Sequence, residues 1–412
     1  MTRHILPMER WKFFCYTILG FLLTPIIITT SIYRRKAFAR RSKTPKVLIV
    51  PILTRVGDLI CATTAFRALK LYYPNSHLSV LVGKKVVDLL KVSPRHDAVI
   101  NINDLPFKGF WGRGRLFWYL YRQGFDAVVS LTNNPFNNLI NWFSAAPIRI
   151  KTIMRHRSIA ERMTDVFSNR KLCYEIGAFL QDHYVRLLQF VGVPFSPSVK
   201  EVIPTTEGDK KVSAFFETNR LDSNRPIIGI TPSAGHRAKE WPLDRFASLA
   251  QGLIEEYQAR ILLIDAPSNR ERVDTVIKFL PLELRPNITA ATDFALSDLP
   301  SLTKRLDLFI AVDTGLIYIA HALRVPLIDI TGPVDPHDQP PEDERSVQVR
   351  PPKSMKPVFS VLGSPDLAAY RAAPALVMAI TPKDVLDATA LLVSRGFVTK
   401  QKAPAGVIPE GA

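Results

Sequence analysis

From Phe13 to Tyr33 the chain reads FFCYTILGFLLTPIIITTSIY, 21 residues with no Asp, Glu, Lys or Arg. Roughly 20 helical residues cross the hydrocarbon core of a bilayer, so the first expectation is a membrane-anchor helix, with Pro25 and the polar Thr29, Thr30 and Ser31 leaving a kinked or re-entrant segment open. The segment that follows, RRKAFARRSK, is basic rather than a small-residue cleavage site, which argues against a removed signal peptide. Beyond Pro45 the pattern changes to short apolar runs alternating with segments of helical period. KVLIVPIL, HLSVLVG, DAVINI and FDAVVSLT are continuous runs of the kind that form buried parallel strands. Between them LICATTAFRALKLYYP, KKVVDLLKVSP and GRLFWYLYRQG read as helices. Regularity fades from about 135 to 200. It resumes with RPIIGITP, ARILLID, DLFIAVD and VPLIDIT as strands. PLDRFASLAQGLIEEYQ, NRERVDTVIKFL, SDLPSLTKRL and LIYIAHALR are the intervening helices, and TPKDVLDATALLV is a capped final helix.

Alternation of this kind is the signature of a doubly wound parallel sheet, and it occurs twice. The expected organisation is an anchor and basic flank over 1–44 and an α/β domain over 45–200. A proline-bearing linker with a charged helical piece covers 201–225. A second α/β domain covers 226–398 and a tail 399–412. Proline-rich 335–357 reads as a loop. Two such domains would face a cleft, and ligands of open α/β sheets bind beyond the carboxyl ends of the strands.

Charge sharpens the membrane expectation. The formal net charge is +17, and residues 1–46 hold ten Lys/Arg against Glu9, so the anchor region carries +9 and the rest 17 − 9 = +8. Arg34, Arg35, Lys36, Arg40, Arg41, Lys43 and Lys46 follow the apolar run, and Arg3, Arg10 and Lys12 precede it. The heavier basic flank stays cytoplasmic, which places the body on the cytoplasmic side of the inner membrane. FKGFWGRGRLFWYLYR (107–122) interleaves Lys108, Arg113, Arg115 and Arg122 with seven aromatics. With an anchor upstream, this mixture fits anionic lipid or a phosphorylated glycolipid, or else ordinary packing of a helix on the sheet, better than nucleic acid. Cys15, Cys61 and Cys173 form no CxxC, so neither a zinc site nor a disulfide framework is indicated.

Candidate chemistry lies just after strands. Thr54-Arg55-Val56-Gly57-Asp58 follows the first strand, and no GxGxxG does, which argues against a dinucleotide oxidoreductase. Asp58 is either a plain N-cap or a carboxylate positioned as a general base. Thr231-Pro232-Ser233-Ala234-Gly235 closes a strand of the second domain, with Arg237 and Lys239 next. Small residues there let backbone amides approach an anion, and Lys239 adds a point charge. Asp313-Thr314-Gly315 ends another strand and opens a helix, whose N-terminal amides suit phosphate.

Taken together, VGDLICATTAFRALKLYYPNSHLSVLVG, AKEWPLDRFASLA and DLFIAVDTGLIYIAHALRVPLIDITGPVDP resemble the motifs of the family-nine glycosyltransferases, the heptosyltransferases of lipopolysaccharide core assembly, over roughly 46–337. The resemblance implies a GT-B fold of two Rossmann-like domains, with the nucleotide sugar held mainly by the second. It also implies inversion at the sugar carbon with no essential metal and no other cofactor. On it, Asp58 falls on the catalytic base and Lys239 on a phosphate-contacting lysine. Asp313, Thr314 and Gly315 fall on the donor diphosphate motif, Ser233 lies in the adjoining donor loop, and Glu271 is similar to an acid that contacts the donor ribose. Tyr318 stands where the family usually has a histidine, and a tyrosine carries no positive charge at neutral pH. His321 lies one turn further on. The implied partners are an ADP-heptose-like donor, a lipopolysaccharide or other lipid-linked acceptor, and the membrane. Two alternatives remain open from the residues alone: a non-catalytic homologue that binds sugar nucleotide, and a GT-B sugar-nucleotide epimerase.

Overall fold

We describe the fold from a computed structural model, in which residues 10–40, 44–221, 224–362 and 367–399 are described. Arg3, Glu9, Arg41, Lys43 and all but the first residue of the expected tail lie outside them. The chain divides into two compact units at Glu201/Val202.

In the first unit, β1 (Lys46–Val50), β2 (His77–Val82), β3 (Ala98–Asn101), β4 (Ala127–Ser130), β5 (Ile148–Met154) and β6 (Arg170–Tyr174) form one parallel sheet in the order 3-2-1-4-5-6. The apolar run at 47–50 is wholly buried because both of its neighbours, β2 and β4, pair with it along its length. The second unit repeats the design with β7 (Ile227–Thr231), β8 (Arg260–Ile264), β9 (Ile288–Ala291), β10 (Leu308–Val312), β11 (Leu327–Ile330) and β12 (Ser346–Val349). Its order, β9-β8-β7-β10-β11-β12, is the same winding, and every pairing is parallel. Each sheet therefore reverses direction of winding beside its first strand, between β1 and β4 and between β7 and β10, where doubly wound folds place their ligands. Helix Leu243–Tyr257 shows how the sequence drives this. Phe246, Leu249, Leu253 and Tyr257, spaced at helical period, are all buried in the second core, and full burial of each contributes roughly 1.5–3 kcal/mol.

Segment 201–225, expected as a linker, contains helix Thr206–Thr218 of the second unit, N-capped by the Thr205 hydroxyl and tied by Lys211 to Asp298. The blurred stretch 135–200 contains helices Pro135–Phe143, Ile159–Thr164 and Leu180–Leu187 with β5 and β6 between them. Expected loop 335–357 contains β12. At the end of the second unit, Thr381 and Asp384 form the expected capping box.

The expectation of a membrane-spanning anchor is not met. No single described helix is long and apolar enough to cross a membrane. The uncharged run is instead split into helices Arg10–Leu22 and Thr24–Arg40, bent by 65°. Pro25 sits at the break and lacks the amide that a continuous helix would bond to the carbonyl of Phe21. The pair lies along the first unit. Phe13, Tyr16, Thr17, Gly20, Ile27 and Ser31 are buried. The Tyr16 hydroxyl donates to the carbonyl of Phe110 (2.6 Å), Trp142 Nε1 to that of Gly20 (2.8 Å), and Arg34 to those of Ser144 and Tyr121 (both 2.7 Å). Only taken together, across the bend, are the two helices long and apolar enough for a span.

Candidate active site

In the first unit, the loop after β1 turns tightly beneath Gly83. A Cβ at Gly83 would stand 2.6 Å from the carbonyl oxygen of Leu53, which accepts the Gly83 amide at 2.7 Å. Only glycine allows that approach, and it fixes where helix Val56–Tyr72 starts. The N-cap is Arg55, in extended conformation, and Asp58 is the third helical residue. The N-cap alternative for Asp58 is thereby corrected: its carboxylate belongs to the first turn, where the helix dipole favours an anion. Its side chain is 4% exposed, 3.8 Å from the Arg55 guanidinium. Behind it stands Tyr184 of helix Leu180–Leu187. Burial first, and the Asp58 carboxylate second, push the Tyr184 phenol well above its ordinary value, so it stays neutral. Nothing in the sequence tied Tyr184 to Asp58, because packing of the two helices brings it there.

In the second unit, the reversal between β7 and β10 gathers most of the expected donor residues. After β7 the chain runs through buried Ser233, whose hydroxyl has no partner among the described residues. It then turns at Arg237–Lys239, a single turn N-capped by His236, whose Nδ1 accepts the Ala238 amide. That acceptor role puts the ring proton on Nε2. Lys239 Nζ reaches across to Asp313 Oδ2, just past β10, at 2.5 Å. Tyr318, in the next helix, donates to the other oxygen, Asp313 Oδ1, at 2.8 Å. Asp313 is buried and so is Tyr318, so the carboxylate holds a cation and a hydroxyl in fixed positions. Thr314 is the N-cap of helix Gly315–Ala322 with extended backbone, and its side chain makes no capping bond. The Ile317 amide bonds the Thr314 carbonyl at 3.2 Å, and the Gly315 amide at the helix start has no intrahelical acceptor.

Glu271 lies in the first turn of helix Arg270–Phe279, after β8, and is exposed. Its neighbour Arg272 bonds Glu240 Oε2 and the carbonyl of Pro232, both at 3.3 Å, which ties that helix to the donor loop. His321 is not part of the cluster. Its Nε2 is 3.2 Å from Asp343 Oδ2. Burial would raise the Asp343 carboxyl, but the hydrogen bond and charge of His321, with the Arg345 amide, outweigh burial and hold it well below the usual range. Trp241 is a packing residue: it is 1% exposed and donates to the carbonyl of Ile380.

One member of the cluster was hidden in the sequence. Asp329 lies in β11, in register beside Ala311 of β10, is 0% exposed, and neither of its oxygens has a hydrogen-bond partner among the described residues. Burial foremost, then the charge of Asp313, push its carboxyl well above the ordinary range, against the opposing pull of Lys239. A carboxyl of this kind keeps its proton in the folded state while the unfolded chain loses it near pH ~3.9. The unfolded state then binds fewer protons, so stability falls as pH rises. Asp329→Asn removes that dependence. Its melting temperature relative to the parent should climb between about pH 4 and pH 8, and a difference constant with pH would show that Asp329 ionises freely in the fold.

Comparison with known proteins places this geometry. Residues 113–363 match the model of glycosyltransferase family 9 (heptosyltransferase). Lipopolysaccharide heptosyltransferase 2 of Escherichia coli K12 is 26% identical over 310 residues, 72% of this chain and 85% of that one. The solved E. coli ADP-heptose LPS heptosyltransferase II superposes with a TM-score of 0.65 at 22% identity, covering 85% of this chain and 99% of that one. A family 9 glycosyltransferase from Veillonella parvula DSM 2008 superposes at 0.70 with 19% identity, over 85% and 98% of the two chains. At these identities the solved structures speak to the fold, which they share.

Proposed function

The chain belongs to glycosyltransferase family 9, the heptosyltransferases, and we propose that it moves a heptose from ADP-heptose, or a close analogue, onto lipopolysaccharide core or another lipid-linked saccharide. The observation that carries the donor half is the Lys239–Asp313–Tyr318 cluster at the winding reversal of the second unit, beside the N-terminus of helix Gly315–Ala322. Lys239 and the amides at Thr314 and Gly315 meet the charge that develops on the leaving diphosphate. Asp313, itself anionic, is a positioning residue that aims Lys239 and Tyr318. Ser233 contributes a hydroxyl to the diphosphate loop, and Glu271 contacts the ribose.

Asp58 is the general base. The acceptor hydroxyl attacks the anomeric carbon as Asp58 takes its proton. The bond to the diphosphate oxygen breaks with its electron pair, and configuration at that carbon inverts. Because Tyr318 brings a hydroxyl where the family usually has a histidine, less positive charge faces the diphosphate and Lys239 carries a larger share. The acceptor is lipid-linked, so transfer takes place at the inner face of the inner membrane.

A panel of nucleotide sugars tests the donor reading. At 100 times its dissociation constant a ligand adds about 2.7 kcal/mol to stability, several degrees in melting temperature. ADP-heptose should give that shift and dinucleotides should not. Stabilisation by an unrelated nucleotide sugar, with none by ADP-heptose, would move the donor elsewhere.

A further inference from the structure

The bent N-terminal pair buries one face in the first unit and leaves the other apolar. Phe14 is 58% exposed, Ile18 45%, Leu22 71% and Ile26 58%. Beside them, helix Gly109–Gln123 presents Trp111 at 79% and Trp118 at 61% exposure. These are not scattered side chains. Trp11 stacks on Phe110 with ring centroids 5.5 Å apart, and Phe110 packs on Trp111 at 5.2 Å. At the other end of the pair, Thr30 bonds the Tyr121 hydroxyl at 3.1 Å, the Arg34 guanidinium lies 4.9 Å over the Tyr121 ring, and Tyr121 stacks on Trp118 at 5.6 Å. The three helices thus make one continuous outward surface. Neither 10–40 nor 108–123 contains an Asp or Glu, and Arg10, Arg35, Lys36, Lys108, Arg115 and Arg122 are exposed on these segments. Trp118 and Trp111 flank a groove that includes Arg115.

We infer that this surface is a monotopic membrane-docking platform: the three helices lie in the interface of an anionic bilayer, apolar side chains among the upper acyl chains and cations against the headgroups. Apolar side chains, interfacial tryptophans and exposed cations are what binding in the plane of a bilayer requires, and each cation near an anionic surface strengthens the attraction. A protein partner of matching area would have to offer a strongly acidic rim, and a second copy of this chain would set cation against cation. The buried inner face keeps the pair on the protein, so the membrane is touched and not crossed. The platform would hold the first unit where a lipid-linked acceptor presents its saccharide. It stands on this surface alone and does not depend on the donor reading.

Flotation of the full chain with vesicles tests it. Vesicles of phosphatidylcholine with about 30% phosphatidylglycerol, which gives a surface charge like that of anionic membranes, should carry the protein to the top of the gradient. Pure phosphatidylcholine should carry about tenfold less, high salt should weaken the binding, and alkaline carbonate should release it. The double variant Ile18→Glu/Leu22→Glu, altered only where side chains are exposed, should lose at least about tenfold in vesicle binding, since each change puts a charge where apolar contact with the bilayer is needed. Its melting temperature and its transfer to a soluble acceptor saccharide should stay unchanged. Resistance to carbonate would mean a spanning segment and overturn the platform. So would equal binding by the double variant, or dimers in solution that ignore vesicles. Loss of transfer in every form of the protein, with vesicle binding intact, would instead count against the donor reading alone.

Discussion

Asp58→Asn should retain donor binding and the fold but lose transfer. The amide would keep the shape of the side chain in the first turn of helix Val56–Tyr72 and could still accept a hydrogen bond there, but it cannot take the acceptor's proton. Loss of a general base typically costs about 10²–10⁴-fold in rate, so kcat should fall by that factor with donor KM little changed. The structural cost is small: removing one anion from a helix N-terminus costs roughly 0.3–1 kcal/mol, a few degrees in melting temperature at most. This separation of rate from stability distinguishes a base from a helix-stabilising acid, for which the stability change would come without the rate change. Transfer at the parental rate, with the fold intact, would end the assignment and turn the search to other carboxylates.

Lys239→Ala should be the more damaging change for donor affinity. The Lys239 side chain is 23% exposed, and its contact with Asp313 Oδ2 is the ion pair that links the ends of β7 and β10. A hydrogen bond from a charged group contributes about 1.5–3 kcal/mol, and with a tyrosine at 318 there is no histidine to share the load. Donor dissociation constant should rise and turnover fall, together about 10- to 100-fold in kcat/KM, as that energy implies. Truncation also leaves Asp313 buried without its cation, next to Asp329, and an uncompensated buried charge is destabilising. Lys239→Arg, which restores the charge, should recover most of the stability and part of the affinity. Unchanged donor affinity in Lys239→Ala, measured by calorimetry on folded protein, would show that the loop after β7 does not face the diphosphate.

The strands nearest the candidate site were legible because they are buried on both sides and so read as unbroken apolar runs; β1, β7 and β10 are of this kind. Their ends were legible for the same reason, since the first polar residues after a buried run must sit at its carboxyl end. Lys239, Asp313 and Tyr318 lie up to 79 positions apart in sequence (318 − 239 = 79), and the parallel pairing of β7 with β10 brings them into contact.

Helix Pro135–Phe143 was missed although Phe136, Leu139, Ile140 and Phe143 recur at helical spacing and are buried in the first core; buried asparagines lie beside that stripe. Asn141 takes a bond from Ser130 and gives bonds to Ile150 and Ser168, and Asn138 bonds Thr164 and Ser168. Asparagine at buried positions interrupts the apolar run but leaves the helical period of that stripe in place. The fully buried Lys151–Asp165 pair (2.9 Å) likewise interrupts the apolar run of the neighbouring strand. Strands β9 and β12 were missed because ITAA and SVQV are short edge strands with little apolar character. Asp329 was missed for the opposite reason, since a single carboxyl inside VPLIDIT does not disturb the run. The anchor misled because the uncharged run 13–33 serves two surfaces at once: one face fills the core of the first unit, and the other remains outside. Composition does not distinguish that from a span, but the bend at Pro25 and the hydrogen bonds of Tyr16, Gly20 and Arg34 do.

The most direct test of the whole account is a transfer reaction followed by NMR at the anomeric carbon. The full chain is supplied with ADP-heptose and a heptose-free lipid-linked core acceptor. The account predicts a glycoside whose anomeric configuration is opposite to that of the donor, formed with release of one ADP per bond and abolished in Asp58→Asn. An epimerised sugar nucleotide, a product of retained configuration, or bound donor that never turns over in the presence of acceptor would contradict it.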